Sequence, residues 1–124
     1  MGKKVLIIED EPDQVEMLKM RLEANGFIVL SAVDGEEGVD KAFDQKPDLV
    51  LLDVVMSKMN GFQVLHCLKE DKRTKNTPVI VLTASSVKDM DPRCFSYGAE
   101  KVIKKPYDSK ELVGMIKKIL ENWF

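Results

Sequence analysis

Residues 49–61 read LVLLDVVMSKMNG. Four apolar residues run directly into Asp53, three more follow it, and the stretch closes on Asn60-Gly61. A short apolar run without alternation is the pattern of a strand covered on both faces, as in a parallel sheet. Asp53 falls where that strand surfaces. A carboxylate beside Val54, Val55 and Met56 is costly to ionise without a partner, so the rest of the chain has to supply one.

Four further short apolar runs recur, VLII (5–8), FIVL (27–30), VIVL (79–82) and KVI (101–103), and all but FIVL lack clean alternation as well. Helical patterns separate them. Val15, Leu18 and Leu22 share a face after the first strand, Pro12 suits a first helical turn, and Asn25-Gly26 supplies a stop. Asp34 predicts the cap of a second helix whose inward residues are Val39, Ala42 and Phe43. A third helix buries Phe62, Leu65 and Leu68. The last opens with Asp108 and Glu111 in capping-box spacing and turns Leu112, Ile116, Ile119 and Trp123 inward. Between the fourth and fifth strands, Pro92 falls inside SSVKDMDPRCFSYG (85–98). Proline in a helix interior costs ~3 kcal/mol, so Asp91 is read as a cap, Pro92 as the first helical position, and the helix as short.

The order is thus βα repeated five times, an α/β fold with right-handed connections and helices on both faces of a parallel sheet. All 124 residues are used by one domain, with no linker, repeat or low-complexity tract. The hydrophobic share is 44% and the charged share 32%, ordinary for a globular chain. No run approaches the ~20 apolar residues of a membrane span, and the four apolar residues before Glu9 are too few for a signal peptide. Cys67 and Cys94 lack metal spacing and read as free thiols of a cytoplasmic protein. A net charge of −2 with scattered lysines argues against direct nucleic-acid binding by this domain.

The polar residues now take places on that frame. Glu9 and Asp10 follow strand one, Asp53 ends strand three, Thr83 ends strand four, and Lys105 follows strand five. In the flavodoxin-like strand order 2-1-3-4-5, strands one and three are neighbours at the switch point where ligands bind. Taken singly, each residue has a plainer reading. Asp10 or Glu11 can cap the next helix, Thr83 can bond to backbone, and one of Lys104 and Lys105 points into solvent. Their convergence on one sheet edge favours a site. Three like charges there raise one another's pKa values, and an oxygen-only set relieved by a hard cation suits Mg²⁺. A carboxylate so held can attack an activated phosphorus and form an aspartyl phosphate. The ammonium of Lys105, the Thr83 hydroxyl and Mg²⁺ would then neutralise the phosphoryl oxygens.

These residues give the chain its resemblance to the receiver domain of two-component response regulators. The matching segments are LIIEDE (6–11), DLVLLDVVM (48–56), MNG (59–61), VIVLTA (79–84) and YGAEKVIKKP (97–106), together with the capped last helix. The resemblance implies a (βα)5 fold in which Asp53 takes a phosphoryl group from a phosphohistidine. The donor would be a sensor histidine kinase or a histidine phosphotransfer protein. It implies that Asp10, Asp53 and the Val55 carbonyl bind Mg²⁺ directly, with Glu9 acting through water. Thr83 would follow the phosphoryl group and Lys105, the lysine before proline, would ion-pair with it. The Lys105–Pro106 bond is often cis in the family. Such a domain assists its own phosphorylation and dephosphorylation without being a conventional enzyme. It acts on a downstream protein or on an output domain absent from this sequence.

Some positions depart from the family pattern. Ser57 stands where proline is usual, four residues after the acceptor. Val102 replaces a Tyr or Phe whose ring swings inward as Thr83 moves, and valine cannot report that movement in the same way. Val55 and Ser85 occupy positions that tune dephosphorylation, and Val55 offers no group to orient water. His66, on the third helix, reads as a surface residue, and Trp123 and Phe124 as the seal of the last helix. Three competing readings are weaker. A flavin-binding flavodoxin needs a glycine- and hydroxyl-rich phosphate loop where EDEPDQ (9–14) stands. A phosphatase or toprim-like enzyme needs an Asp-x-Asp pair, whereas Val54 and Val55 follow Asp53. A receiver that binds partners without being phosphorylated would have no use for the intact set of Glu9, Asp10, Asp53, Thr83 and Lys105.

Overall fold

The computed structural model describes residues 2–53, 61–83 and 98–121. Five strands, β1 (Lys4–Ile8), β2 (Ile28–Ala32), β3 (Leu49–Asp53), β4 (Val79–Thr83) and β5 (Lys101–Lys104), form one sheet in the order β2-β1-β3-β4-β5. Every neighbouring pair is parallel. The described helices are α1 (Pro12–Ala24), α2 (Gly35–Gln45), α3 (Gly61–Glu70) and α4 (Ser109–Glu121). The short helix expected at Asp91 and Pro92 lies outside the described residues, as do Trp123 and Phe124. Among the described residues no helix is long and apolar enough to cross a membrane.

Local chemistry places the helix ends as expected. Pro12 opens α1, and the side chain of its N-cap, Glu11, makes no capping bond. Gly26 adopts φ +88° in the turn after α1, a conformation that glycine reaches without strain. Asp34 caps α2 by accepting a bond from the Glu37 amide at 2.9 Å. Asp108 Oδ1 accepts from the amides of Lys110 at 2.8 Å and Glu111 at 3.4 Å at the start of α4.

Strand alternation divides the core in two. Val5, Ile7, Leu49, Leu51, Ile80 and Leu82 pack on one face with α1 and α4. On the other face, Leu6, Ile8, Val50, Leu52, Val79 and Val81 pack with α2 and α3. The central strands β3 and β4 are buried along their whole length, which explains their unbroken apolar runs. β2 begins one residue after the expected run and ends two residues beyond it, because it is an edge strand with only Ala32 fully buried.

The inward faces are wider than the sequence pattern suggests, since Val64, Val113 and Leu120 are buried as well. Phe62 is only half-buried. Phe43 is also half-buried and carries the Arg73 guanidinium 3.8 Å above its ring. Gly38 lets α2 approach β1 closely, because a Cβ there would lie 2.5 Å from Ile8 Cδ1.

Candidate functional site

The sheet register builds the site. Ile8 pairs with Leu52, so the next row outward brings Glu9 level with Asp53. On the far side of β3, Asp53 pairs with Leu82, and Thr83 pairs with Lys104 one row further. The Lys105 amide donates to the Thr83 carbonyl at 2.7 Å and extends that pairing by one residue.

Side-chain alternation then sorts these groups by face. Counting outward from the packed residues, Glu9, Asp53 and Lys105 fall on the α1/α4 side, and Thr83 falls with Val102 on the α2/α3 side. Lys105 Nζ accordingly reaches Glu9 Oε1 at 2.9 Å and Asp53 Oδ2 at 3.2 Å. Lys104 is exposed at the end of β5. The choice between the two lysines therefore follows from strand parity. The Lys105–Pro106 bond is cis.

The electrostatics are those of a crowded acidic rim. Glu9, Asp53 and Thr83 are buried, whereas Asp10 is exposed. Burial, and then a hydrogen bond to the Asp53 carboxyl, push the pKa of Glu9 up to about 7 against the pull of Lys105. For Lys105, burial opposes the charge, but its bonds to Glu9 and the negative charges of Asp53 and Glu9 outweigh that and raise its pKa. Burial also raises the Tyr107 phenol. Lys105 opposes that shift, and the charges of Glu9 and Asp53 add to it.

Oxygens of Glu9, Asp10 and Asp53 lie within 4.8 Å of one another. Octahedral Mg²⁺ at ~2.1 Å from each donor holds oxygens ~3 Å apart when adjacent and ~4.2 Å when opposite, so direct ligation by Asp10 and Asp53, with Glu9 one water further out, suits the spacing of the cluster. When all three are ionised, three carboxylates facing one ammonium leave two negative charges, which a divalent cation would cancel. The carbonyl of Val55 and the side chains of Ser57 and Ser85 lie outside the described residues.

Other expectations resolve simply. His66 is exposed on α3, with Nε2 at 3.7 Å from Glu70 Oε1. Cys67 is a free, half-buried thiol, and Cys94 lies outside the described residues. The sequence reading missed Lys69, whose ammonium donates to the Thr77 carbonyl at 2.6 Å and the Lys75 carbonyl at 3.2 Å. No periodicity marks such a residue, because its partners lie in an irregular turn.

Residues 5–117 match the response regulator receiver domain family, and the chain belongs to it. Among curated relatives, the alkaline phosphatase synthesis transcriptional regulatory protein PhoP of Bacillus subtilis is 36% identical over 122 residues, covering 98% of this chain and 50% of that protein. The Escherichia coli transcriptional regulatory protein CpxR is 39% identical over 119 residues, covering 96% and 50%. The chain thus spans about half the length of these curated relatives.

Solved structures agree on the fold. A putative response regulator from Chloroflexus aurantiacus matches with a TM-score of 0.91 at 29% identity, covering 98% of this chain and 99% of that one. The receiver domain of the sensor histidine kinase PA1611 from Pseudomonas aeruginosa, with a magnesium ion in its active-site cleft, matches at 0.83 and 26%, covering 99% and 98%. The chain is therefore a receiver domain of the two-component response regulators, a phosphorylation-based signalling class.

Proposed function

We propose that residues 1–124 form one receiver domain in which Asp53 is the phospho-acceptor. The observation that carries this reading is the Lys105 ammonium bridging Glu9 and Asp53 at the mouth of the switch point. An Asp53 carboxylate oxygen attacks the phosphorus of a phosphohistidine. The P–N bond breaks with its electron pair going to the ring nitrogen, the imidazole leaves neutral because its other nitrogen already carries a proton, and an aspartyl phosphate remains. Glu9, Asp10, Asp53 and the Val55 carbonyl would hold Mg²⁺, with Glu9 acting through water. When bound, the ion supplies positive charge to the phosphoryl oxygens.

This chain's own residues supply the rest. Lys105 sits within reach of a group on Asp53, exchanges its carboxylate partners for a phosphoryl oxygen and ion-pairs with it. Thr83 ends the neighbouring strand on the opposite face of the sheet, and its hydroxyl would turn over the strand end to meet the same group. Buried Leu82, on the Asp53 side of the sheet and paired with it, limits water around the acyl phosphate. The donor is a sensor histidine kinase or histidine phosphotransfer protein in the cytoplasm. The output is a protein contact or a domain beyond this sequence, as the length of the relatives supports.

Intact-mass spectrometry after incubation with acetyl phosphate tests the acceptor. One phosphoryl group should be gained with Mg²⁺ and none with EDTA or in Asp53→Ala. Labelling that persists in Asp53→Ala would place the acceptor elsewhere. If acetyl phosphate and a kinase donor both fail to label the wild type under conditions that label a control receiver, the reading falls.

A further inference from the structure

Lys105 stands between two environments. On one side are the carboxylates of Glu9 and Asp53. On the other is a groove of about 500 Å³ that Lys105 and Tyr107 line together with Gln14, Met17, Leu18 and Ser109. A lysine stem is long and flexible, and fixing it costs rotamer entropy. Its ion pairs hold the ammonium in the metal-free state. Once a cation and a phosphoryl group compete for the same carboxylates, those pairs no longer fix it, and the walls of the groove then limit the course of the stem.

The loop that carries Lys105 is anchored at three points. The Lys105 amide is bonded to the Thr83 carbonyl at 2.7 Å. Asp108 is committed to capping α4. Between them the Tyr107 ring packs into the core cluster that α1 and α4 share with the sheet. The ring is thus both the central anchor and one wall of the groove. We propose that Tyr107 is a positioning residue for phosphoryl transfer, acting through Lys105 by closing off the groove-side conformations of its stem. This rests on the assignment of Asp53 as acceptor and adds a residue outside the set of Glu9, Asp10, Asp53, Thr83 and Lys105. The ring does this work and the hydroxyl does not, so phenylalanine should replace tyrosine here.

The test uses Tyr107→Ala, Tyr107→Phe, Lys105→Ala and the double variant Tyr107→Ala/Lys105→Ala. Displacements of about 1 Å in a phosphoryl-transfer site cost up to ~100-fold, so Tyr107→Ala should slow labelling by acetyl phosphate roughly ten-fold. Tyr107→Phe should stay near the wild-type rate. The double variant should be no slower than Lys105→Ala alone, because a residue that acts only through lysine has nothing left to position. Mg²⁺ affinity, measured by calorimetry, should barely change in Tyr107→Ala, since its ligands are untouched.

A second readout does not depend on phosphorylation. The Lys105 side-chain methylenes should be ordered by ¹³C relaxation in all variants when metal-free, because the ion pairs hold the ammonium. With Mg²⁺ bound they should stay ordered in the wild type and Tyr107→Phe but become mobile in Tyr107→Ala. Tyr107→Phe behaving like Tyr107→Ala, losses that multiply in the double variant, or Lys105 methylenes that stay ordered in Mg²⁺-loaded Tyr107→Ala would each overturn the proposal. If the wild type itself is not labelled, the acceptor assignment fails separately, and the methylene order still decides on Tyr107.

Discussion

Replacing Lys105 by methionine keeps most of the stem and removes the charge that holds two buried carboxylates together. At an effective dielectric constant of ~20, unit charges separated by 2.9 Å and 3.2 Å attract by about 5–6 kcal/mol each. Desolvation of all three groups offsets most of this. Breaking a buried ion pair from one side costs about 3–5 kcal/mol in practice, because the remaining charge is left uncompensated. Here Glu9 can escape by taking up a proton, so the expected loss lies at the lower end, about 3 kcal/mol at pH 8 in EDTA. With a urea dependence of ~2 kcal/mol per molar, the unfolding midpoint should fall by ~1.5 M. Saturating Mg²⁺ should stabilise the methionine variant more than the wild type, because the ion replaces the missing charge. A midpoint in EDTA equal to or above that of the wild type would refute the argument. The carboxylates would then already be neutralised without the lysine.

Two further outcomes follow from the same geometry. Glu9 has a folded pKa of about 7 against an ordinary 4.5, so between those values the folded state holds a proton that the unfolded chain has lost. Stability in EDTA should therefore fall as pH rises through this window, by at most ~3 kcal/mol from this group. Urea midpoints between pH 4 and 8 should show the slope, and Glu9→Gln should flatten it. At the α2–β1 contact, Gly38→Ala places a methyl 2.5 Å from Ile8 Cδ1. Overpacking of about 1–3 kcal/mol should outweigh the ~1 kcal/mol gain in helix propensity, so thermal melts should show a net loss that Ile8→Val partly restores.

The site sits at the edge of a sheet whose core is packed without it. Both core clusters are completed by apolar residues, and the charged groups lie one row beyond the last packed residues of β1 and β3. That separation lets a receiver concentrate like charges at one edge. The cost falls on the rim, where Glu9 carries it as a raised pKa. It also explains why the acidic residues are so visible in the sequence, since each interrupts an apolar run at the point where the strand leaves the core.

What the amino-acid sequence determined by itself was local. Unbroken apolar runs identified β3 and β4, and Pro12, Asn25-Gly26, Asp34 and Asp108 marked helix ends through the backbone conformations and capping bonds those residues favour. Polar residues at strand ends pointed to the carboxyl edge, and the resemblance to receivers gave them roles. Only the tertiary structure decided the rest. Lys105 meets Glu9 and Asp53 across 96 and 52 residues of chain, and no local pattern encodes such a distance. The register that levels Glu9 with Asp53 arises from pairing between strands, as does the parity that turns Lys105 towards the site while Lys104 is left exposed. The proton held by Glu9 near neutral pH depends on both, because a carboxylate's pKa is set by burial and neighbouring charges, which exist only once the sheet has formed.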